Sequence, residues 1–141
     1  MISANVELVR SIHAAWERGD FSSADWADPE IEYVHADGPE PGSWNGLTGM
    51  AHGFREYLTP WEAFRVEAGE YRELDAERVL VLFTFCARGK SSGLEASQIR
   101  TEGAQLFHVR EGKVTRLVQY LDRDGAFDDL GLAPETGSQG W

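Results

Sequence analysis

Apolar residues recur near the start of the chain at Ile2, Val6, Val9, Ile12 and Trp16, with spacings of 4, 3, 3 and 4. Those spacings line one face of a helix at 3.6 residues per turn. Ser3 offers a hydroxyl to the orphan N–H groups at its start, and Gly19 suits a left-handed C-cap. Asp20 or Ser22 then caps a short second helix through Ala27, which Asp28-Pro29 stops because the residue before proline is pushed out of the helical region. The run Glu30 to His35 reads as a strand with Ile31, Tyr33 and His35 on one face and Glu32 and Val34 on the other. Residues 36–46 hold two prolines and three glycines and read as a loop, with room for a short strand around Trp44. Thr48 caps a further helix whose apolar stripe is Met50, Phe54, Leu58 and Trp61, with Thr59-Pro60 at its end.

In the second half the period changes from 3.6 to 2. Phe64, Val66 and Ala68 alternate with Arg65, Glu67 and Gly69. After a turn at Asp75-Ala76-Glu77-Arg78 comes Val79 to Arg88, almost continuously apolar, as a strand is when both its faces are covered. Gly89-Lys90-Ser91-Ser92-Gly93 reads as a hairpin loop. A long strand from Leu94 to Arg110 follows, with Gly103 as a bulge, then a tight turn at Glu111-Gly112 and a strand from Lys113 to Leu121. A closing helix runs from Asp122 to Leu130 with Gly131 as its cap. Helices followed by a run of strands specify an α+β fold, most simply packed with the antiparallel sheet curled around the first three helices and a cavity at the mouth. Residues 1–132 form one domain, and the aperiodic segment 133–141 is a loose tail.

Composition narrows the function. A chain of 141 residues with 42% hydrophobic content makes one folded domain, which buries about 70% of its unfolded surface. Thirteen basic against twenty-four acidic residues give a net charge of −11, the wrong sign for nucleic acid or an anionic membrane. No apolar stretch approaches the ~20 residues that span a bilayer. The start, MISANVELVR, lacks the pattern of a signal peptide, so a cytoplasmic protein is expected. The single cysteine, Cys86, excludes an intrachain disulfide and reads as a buried small hydrophobe.

Several segments together carry a family resemblance. They are Ala14-Ala15-Trp16-Glu17-Arg18-Gly19-Asp20; Asp28-Pro29-Glu30-Ile31-Glu32-Tyr33; the loop Gly38-Pro39-Glu40-Pro41-Gly42-Ser43-Trp44-Asn45-Gly46; Arg88-Gly89-Lys90-Ser91-Ser92-Gly93; Arg110-Glu111-Gly112-Lys113-Val114; and Tyr120-Leu121-Asp122-Arg123 followed by Ala126. In this order and spacing the chain resembles the SnoaL-like polyketide cyclase group of the nuclear transport factor 2-like superfamily. The resemblance implies a cone-shaped roll, with a strongly curved antiparallel sheet wrapped around the N-terminal helices, an apolar pocket open at one end, and a homodimer through the outer sheet face. It does not imply a reaction, because the fold hosts isomerases, dehydratases, epoxide hydrolases, cyclases and binding modules.

Ketosteroid isomerases, the best-defined catalytic relatives, need an Asp base and two oxyanion donors, a Tyr and a protonated Asp. The flanking motifs place those positions at Tyr33 for the base, Ile12 for the Tyr, and Gln105 or Ala104 for the Asp, so none of the three groups is present. The triplet Asp122-Arg123-Asp124 is contiguous at a helix start and reads as an N-cap rather than the Asp-Arg-Asp site of limonene epoxide hydrolase. In some cyclase relatives an acid stands where this chain has Gln119, which cannot take up a proton. Asp128 and Asp129 read as solvated surface charges; Glu95 and Glu102 fall on opposite parities of the long strand and read as strand-edge charges, the alternative being that one of them points inward as a base.

His35 is the candidate catalytic base, since an ordinary imidazole titrates near ~6.5; the alternative is a rim histidine bonded to loop backbone. His13 reads as partly buried packing, His52 as exposed and His108 as lying on the outer face. No ligand spacing for a metal is present, no phosphate loop is formed by Gly46, Gly49 and Gly53, and no cofactor is implied. Tyr33, Trp44, Tyr57, Trp61, Phe83, Phe85 and Phe107, with Gln105 and Gln119, are the candidate substrate-binding residues. The expected function is binding of a small hydrophobic, carbonyl-bearing or polyketide-like molecule, with cofactor-independent isomerase, cyclase or dehydratase chemistry. The competing functions are a non-catalytic hydrophobic-metabolite binder and a structural dimer.

Overall fold

The computed structural model describes residues 3–20, 25–37, 41–58, 61–89 and 98–131. Their order is α1 (Ala4–Glu17), β1 (Ala27–His35), β2 (Gly42–Asn45), α2 (Gly46–Leu58), β3 (Trp61–Glu73), β4 (Arg78–Gly89), β5 (Gln98–Arg110), β6 (Lys113–Tyr120) and α3 (Arg123–Leu130). The six strands form one open sheet in the order β2-β1-β6-β5-β4-β3. This is the α+β roll expected from the sequence.

Local chemistry sets most of the boundaries. The Ser3 hydroxyl accepts from the Val6 N–H at the start of α1, and Gly19 follows its end at φ 85°. Asp122 caps α3 by accepting from the Asp124 N–H, and Gly131 closes it at φ 69°. Glu111 and Gly112, both at positive φ, join Arg110 to Lys113 in a two-residue hairpin, as a turn matched to strand twist requires.

Four expectations are corrected. Ala27 opens β1 and pairs with Val114, so no helix runs through it; Pro29 sits where the β1–β6 ladder is interrupted, between Ala27 and Glu32, the position a residue without an N–H tolerates. Helix α2 begins at Gly46 (φ 79°) immediately after β2, which leaves Thr48 inside it, and Trp61 belongs to β3. Gly103 is no bulge: it stays in register opposite Phe83. A Cβ there would meet the Tyr120 carbonyl oxygen at 2.4 Å and Phe83 Cζ at 2.9 Å, so the glycine serves close strand approach. The sheet is mixed, not wholly antiparallel, because β1 runs parallel to β6. The expected hairpin loop at 90–93, the strand residues 94–97, Glu95 and the tail 133–141 lie outside the described residues.

Two apolar layers clasp the sheet. On the inner face Val6, Val9, Ile12 and Trp16 of α1 and Met50 of α2 pack on Ile31, Tyr33, Val79, Val81, Phe83, Phe85, Phe107 and Leu117. On the outer face Ala126 and Phe127 of α3 pack on Leu80, Leu82, Ala104, Leu106, Val118 and Tyr120. The apolar run of β4 is thereby accounted for within one chain, since alternate residues serve the two layers. Cys86 is half-buried rather than fully buried. Asp129 accepts a 2.6 Å hydrogen bond from the Tyr120 hydroxyl, so it is not a freely solvated charge. Among the described residues no helix is long and apolar enough to cross a membrane.

Candidate functional site

The inner face carries a polar line through an apolar layer. Strand register sets His35 beside Gln119, Gln119 opposite Gln105, Gln105 opposite Val81 and Val81 opposite Tyr71. Side chains in such a row share a face and touch their neighbours. Helix α1 lays His13 across it. The His13 Nε2–H donates to Gln105 Oε1 at 2.6 Å, and Gln105 Nε2 donates to Gln119 Oε1 at 2.8 Å. His13, Gln105 and Gln119 are the buried polar side chains among the described residues, and no carboxylate is among them.

His13 has no solvent exposure and is ringed by aromatic edges: Trp16 at 4.9 Å, Phe107 at 6.0 Å and Tyr71 at 6.2 Å between centroids. Burial pushes its pKa down to about 4, against a smaller upward pull from Gln105, so the ring is neutral at pH 7. With the proton on Nε2, Nδ1 is a lone-pair acceptor, and it has no hydrogen-bond partner among the described residues. A buried polar atom left unpaired costs about 1–3 kcal/mol.

The sequence reading missed His13, placing Ile12 at the helix position of interest. Ile12 instead packs in the apolar core. The signal was available: Val9, His13 and Trp16 stand at i, i+4 and i+7, on the same buried stripe.

A second polar contact lies at the end of β1. His35 Nε2 and the buried Tyr33 hydroxyl are hydrogen-bonded at 3.0 Å, two residues apart and so on one face. The His35 ring stands edge-on to Tyr33 at 4.9 Å and to Trp44 at 4.7 Å. It is half-buried, and desolvation holds its pKa below the ordinary imidazole value, with Asp37 pulling the other way. The Asp37 carboxylate also accepts from the Leu121 and Asp122 N–H groups at 2.7 and 3.1 Å, which pins the end of β1 to the end of β6.

Of the other candidates, Trp44 on β2 is half-buried and tilts against Tyr33 at 5.8 Å. Phe83, Phe85 and Phe107 are fully buried core side chains. Tyr57 belongs to α2 and Trp61 to β3; their side chains lie outside the described part. Glycine lets α2 approach this corner, because a Cβ on Gly53 would stand 2.8 Å from Tyr33 Cδ2 and 3.0 Å from Trp44 Cδ2. His52 is exposed beside Glu56. His108 is half-buried on the outer face, and burial and Arg116 lower its pKa. Glu102 is exposed, near Arg100 and Arg123.

Two open depressions lie elsewhere on the surface, about 460 Å³ around Glu17, Arg65 and Thr84 and about 420 Å³ around Ser11, Trp16 and Trp26. Neither is lined by His13, His35, Gln105 or Gln119. Among the described residues no three His, Cys, Asp or Glu side chains gather as a metal site.

Solved structures share this fold. TerC, co-crystallized with polyporic acid, superposes with a TM-score of 0.71 at 23% identity over 91% of this chain and 98% of its own. A nuclear transport factor 2-like protein of unknown function from Burkholderia pseudomallei superposes at 0.73, with 19% identity over 90% and 97% of the two chains. A proposed polyketide cyclase from Xanthomonas campestris pv. campestris gives 0.64 and 20% over 83% and 89%. Identities this low carry the fold alone. Among curated proteins none matches significantly. The SnoaL-like domain model matches residues 9–117, a span from α1 into β6 that includes His13, Tyr33, His35 and Gln105, and the chain belongs to the SnoaL-like domain family.

Proposed function

We propose that the protein binds a small, flat, hydrophobic carbonyl compound against the inner face and moves a proton on it without a cofactor, with His35 as the base. The observation that carries this reading is the His35–Tyr33 pair: a half-buried imidazole with depressed pKa, hydrogen-bonded at 3.0 Å to a buried phenol. A neutral imidazole at pH 7 accepts protons, and a fixed hydroxyl at one ring nitrogen orients the other. In this role the His35 imidazole, its ring oriented by the Tyr33 hydroxyl, takes the proton from the carbon beside the carbonyl. The Gln119 carboxamide, beside His35 in register, supplies an N–H to the developing enolate oxygen. Return of the proton to a different carbon completes an isomerisation. Trp44 and the apolar inner layer favour a flat ligand, and TerC was co-crystallized with polyporic acid, which makes that compound a first ligand to try.

The test is solvent deuterium exchange into flat aromatic ketones, followed by proton NMR. Wild-type protein should catalyse exchange, and His35→Ala should lower the rate at least about a hundredfold, the usual span of a general base. Full activity in that variant would end the assignment. One observation favours a second reading, a binder without turnover: the described interior holds no buried carboxylate. Saturable binding with no exchange selects it. The homodimer implied by the resemblance would use outer-face area that α3 leaves uncovered, and sedimentation equilibrium tests it.

A further inference from the structure

The two edges of the sheet differ. At one edge β2 is only four residues long, too short to template further pairing. At the other, β3 runs for 13 residues and, among the described residues, pairs with β4 alone. Its ladder to β4 is regular from Ala63 to Ala68, between two register shifts. In an antiparallel ladder alternate residues turn both backbone groups to the same side. The Ala68 N–H leaves β4 and donates to Glu17 Oε2 at 3.0 Å. Phe64, Val66 and Ala68 therefore turn N–H and C=O towards the open edge, and Arg65 and Glu67 turn theirs to β4. An open depression of about 460 Å³ follows Arg65 to Gly69, with Glu17 on its wall. Arg65 and Glu67 stand exposed on the outer face, 3.6 Å apart, on either side of the buried Val66. Read in either direction, this segment presents one charge, Val66 and the opposite charge.

We propose that two copies of the chain associate through their β3 edges, antiparallel about Val66, so that the two sheets become one. In this register Val66 faces its own copy and Phe64 faces Ala68 of the second copy. All three are residues that turn their backbone groups outward, so they exchange hydrogen bonds in reciprocal pairs. The charges select the register. A centre at Arg65 sets Arg65 against itself, and a centre at Glu67 sets Glu67 against itself; like charges directly opposite each other repel. The Val66 centre sets each Arg65 opposite a Glu67, at the non-hydrogen-bonded positions where side chains come closest. Glu17 competes with the second copy, because it holds the Ala68 N–H that the pairing needs. This edge is a different surface from the outer sheet face, and the inference stands apart from the chemistry assigned to His35.

The test is sedimentation equilibrium of the full chain over a range of concentrations. Arg65→Glu and Glu67→Arg each set two like-charged pairs across the edge, so each should weaken self-association at least about tenfold. An equimolar mixture of the two variants restores both opposite-charge pairs and should associate within about threefold of the wild type. Glu17→Ala should tighten association about threefold or more, by freeing the Ala68 N–H. Amide hydrogen exchange by NMR is the second measurement. The Val66 amide should slow as concentration rises, whereas the Arg65 and Glu67 amides, bonded to β4, should be slow throughout. A chain that stays monomeric at NMR concentrations overturns the proposal. So does self-association that the charge reversals leave unchanged or that the mixture fails to restore. A dimer through the outer face alone would ignore Glu17→Ala and leave Val66 exchange independent of concentration, which also overturns it. Val66 exchange that is slow at every concentration assigns the edge to a segment of the same chain and removes the second copy.

Discussion

Acid should destabilise this protein through His13 in a way that a single substitution removes. The perturbation is protonation of an imidazole that has no room for charge. Its pKa is about 4 in the folded chain against 6.5 for an ordinary histidine, because burial removes water from the charged form. Between those values the unfolded chain binds the proton and the folded chain does not, so stability falls as pH falls. Above about pH 6.5 nothing is lost on this account; the loss accumulates as pH drops towards 4, where it reaches about 3 kcal/mol. For a domain whose total stability is about 5–15 kcal/mol, that is a large share. The assay is urea unfolding at half-unit steps between pH 7.5 and 4.5, with His13→Phe measured alongside. The carboxylates and the other histidines titrate in both proteins, so the difference between the two curves isolates His13. The wild type should lose stability relative to the variant by up to about 1.4 kcal/mol per pH unit, the limit for one proton. Parallel curves, or a His13 resonance that titrates near 6.5, would refute the reasoning.

The remaining expectations concern packing. Gly103→Ala forces a Cβ to within 2.4 Å of the Tyr120 carbonyl oxygen; because backbone cannot yield as a side chain does, thermal unfolding should show a loss of about 2 kcal/mol or more, and an unchanged midpoint contradicts the close approach. Gly53→Ala would ordinarily stabilise a helix by about 1 kcal/mol, yet its Cβ meets the Tyr33 ring at 2.8 Å. It should destabilise the fold and let the His35 pKa rise towards its ordinary value, read by NMR titration; a more stable variant with His35 unmoved disproves this. Phe127→Ala should cost about 3–5 kcal/mol, because this one ring anchors α3 among Leu80, Leu82 and Leu106; a loss in urea unfolding below about 1 kcal/mol would mean that α3 is held by something else.

The candidate site was legible in its parts more than in its connections. Tyr33 and His35 share strand parity, and the alternation placed them on one face. Gln105 and Gln119 could be put on the inner face by the same argument. What the sequence reading lacked was the partner from the helix. Taking Ile12 as the inward position left Gln105 without His13, although the buried stripe of α1 includes both residues. The aromatic candidates divide: Trp44 stands against the polar pair, whereas Phe83, Phe85 and Phe107 lie closed within the core.

Periodicity and capping chemistry are local, and they alone determined the α1 stripe with its Ser3 cap, the α3 helix between Asp122 and Gly131, the hairpin at Glu111-Gly112 and the two-faced burial of β4. Each follows from backbone sterics, hydrogen-bond demand and side-chain direction within a few residues. Tertiary structure decided the rest. Parallel pairing of β1 with β6 joins residues more than eighty positions apart, and only that pairing sets His35 beside Gln119. The close passage of the Tyr120 carbonyl, not a local bulge, explains Gly103. The seat of α3 on the outer face explains why β4 is apolar on both sides. The direction of the His13–Gln105–Gln119 line is likewise beyond the sequence. Which imidazole nitrogen donates depends on the group facing it, and that group arrives from a strand ninety-two residues away.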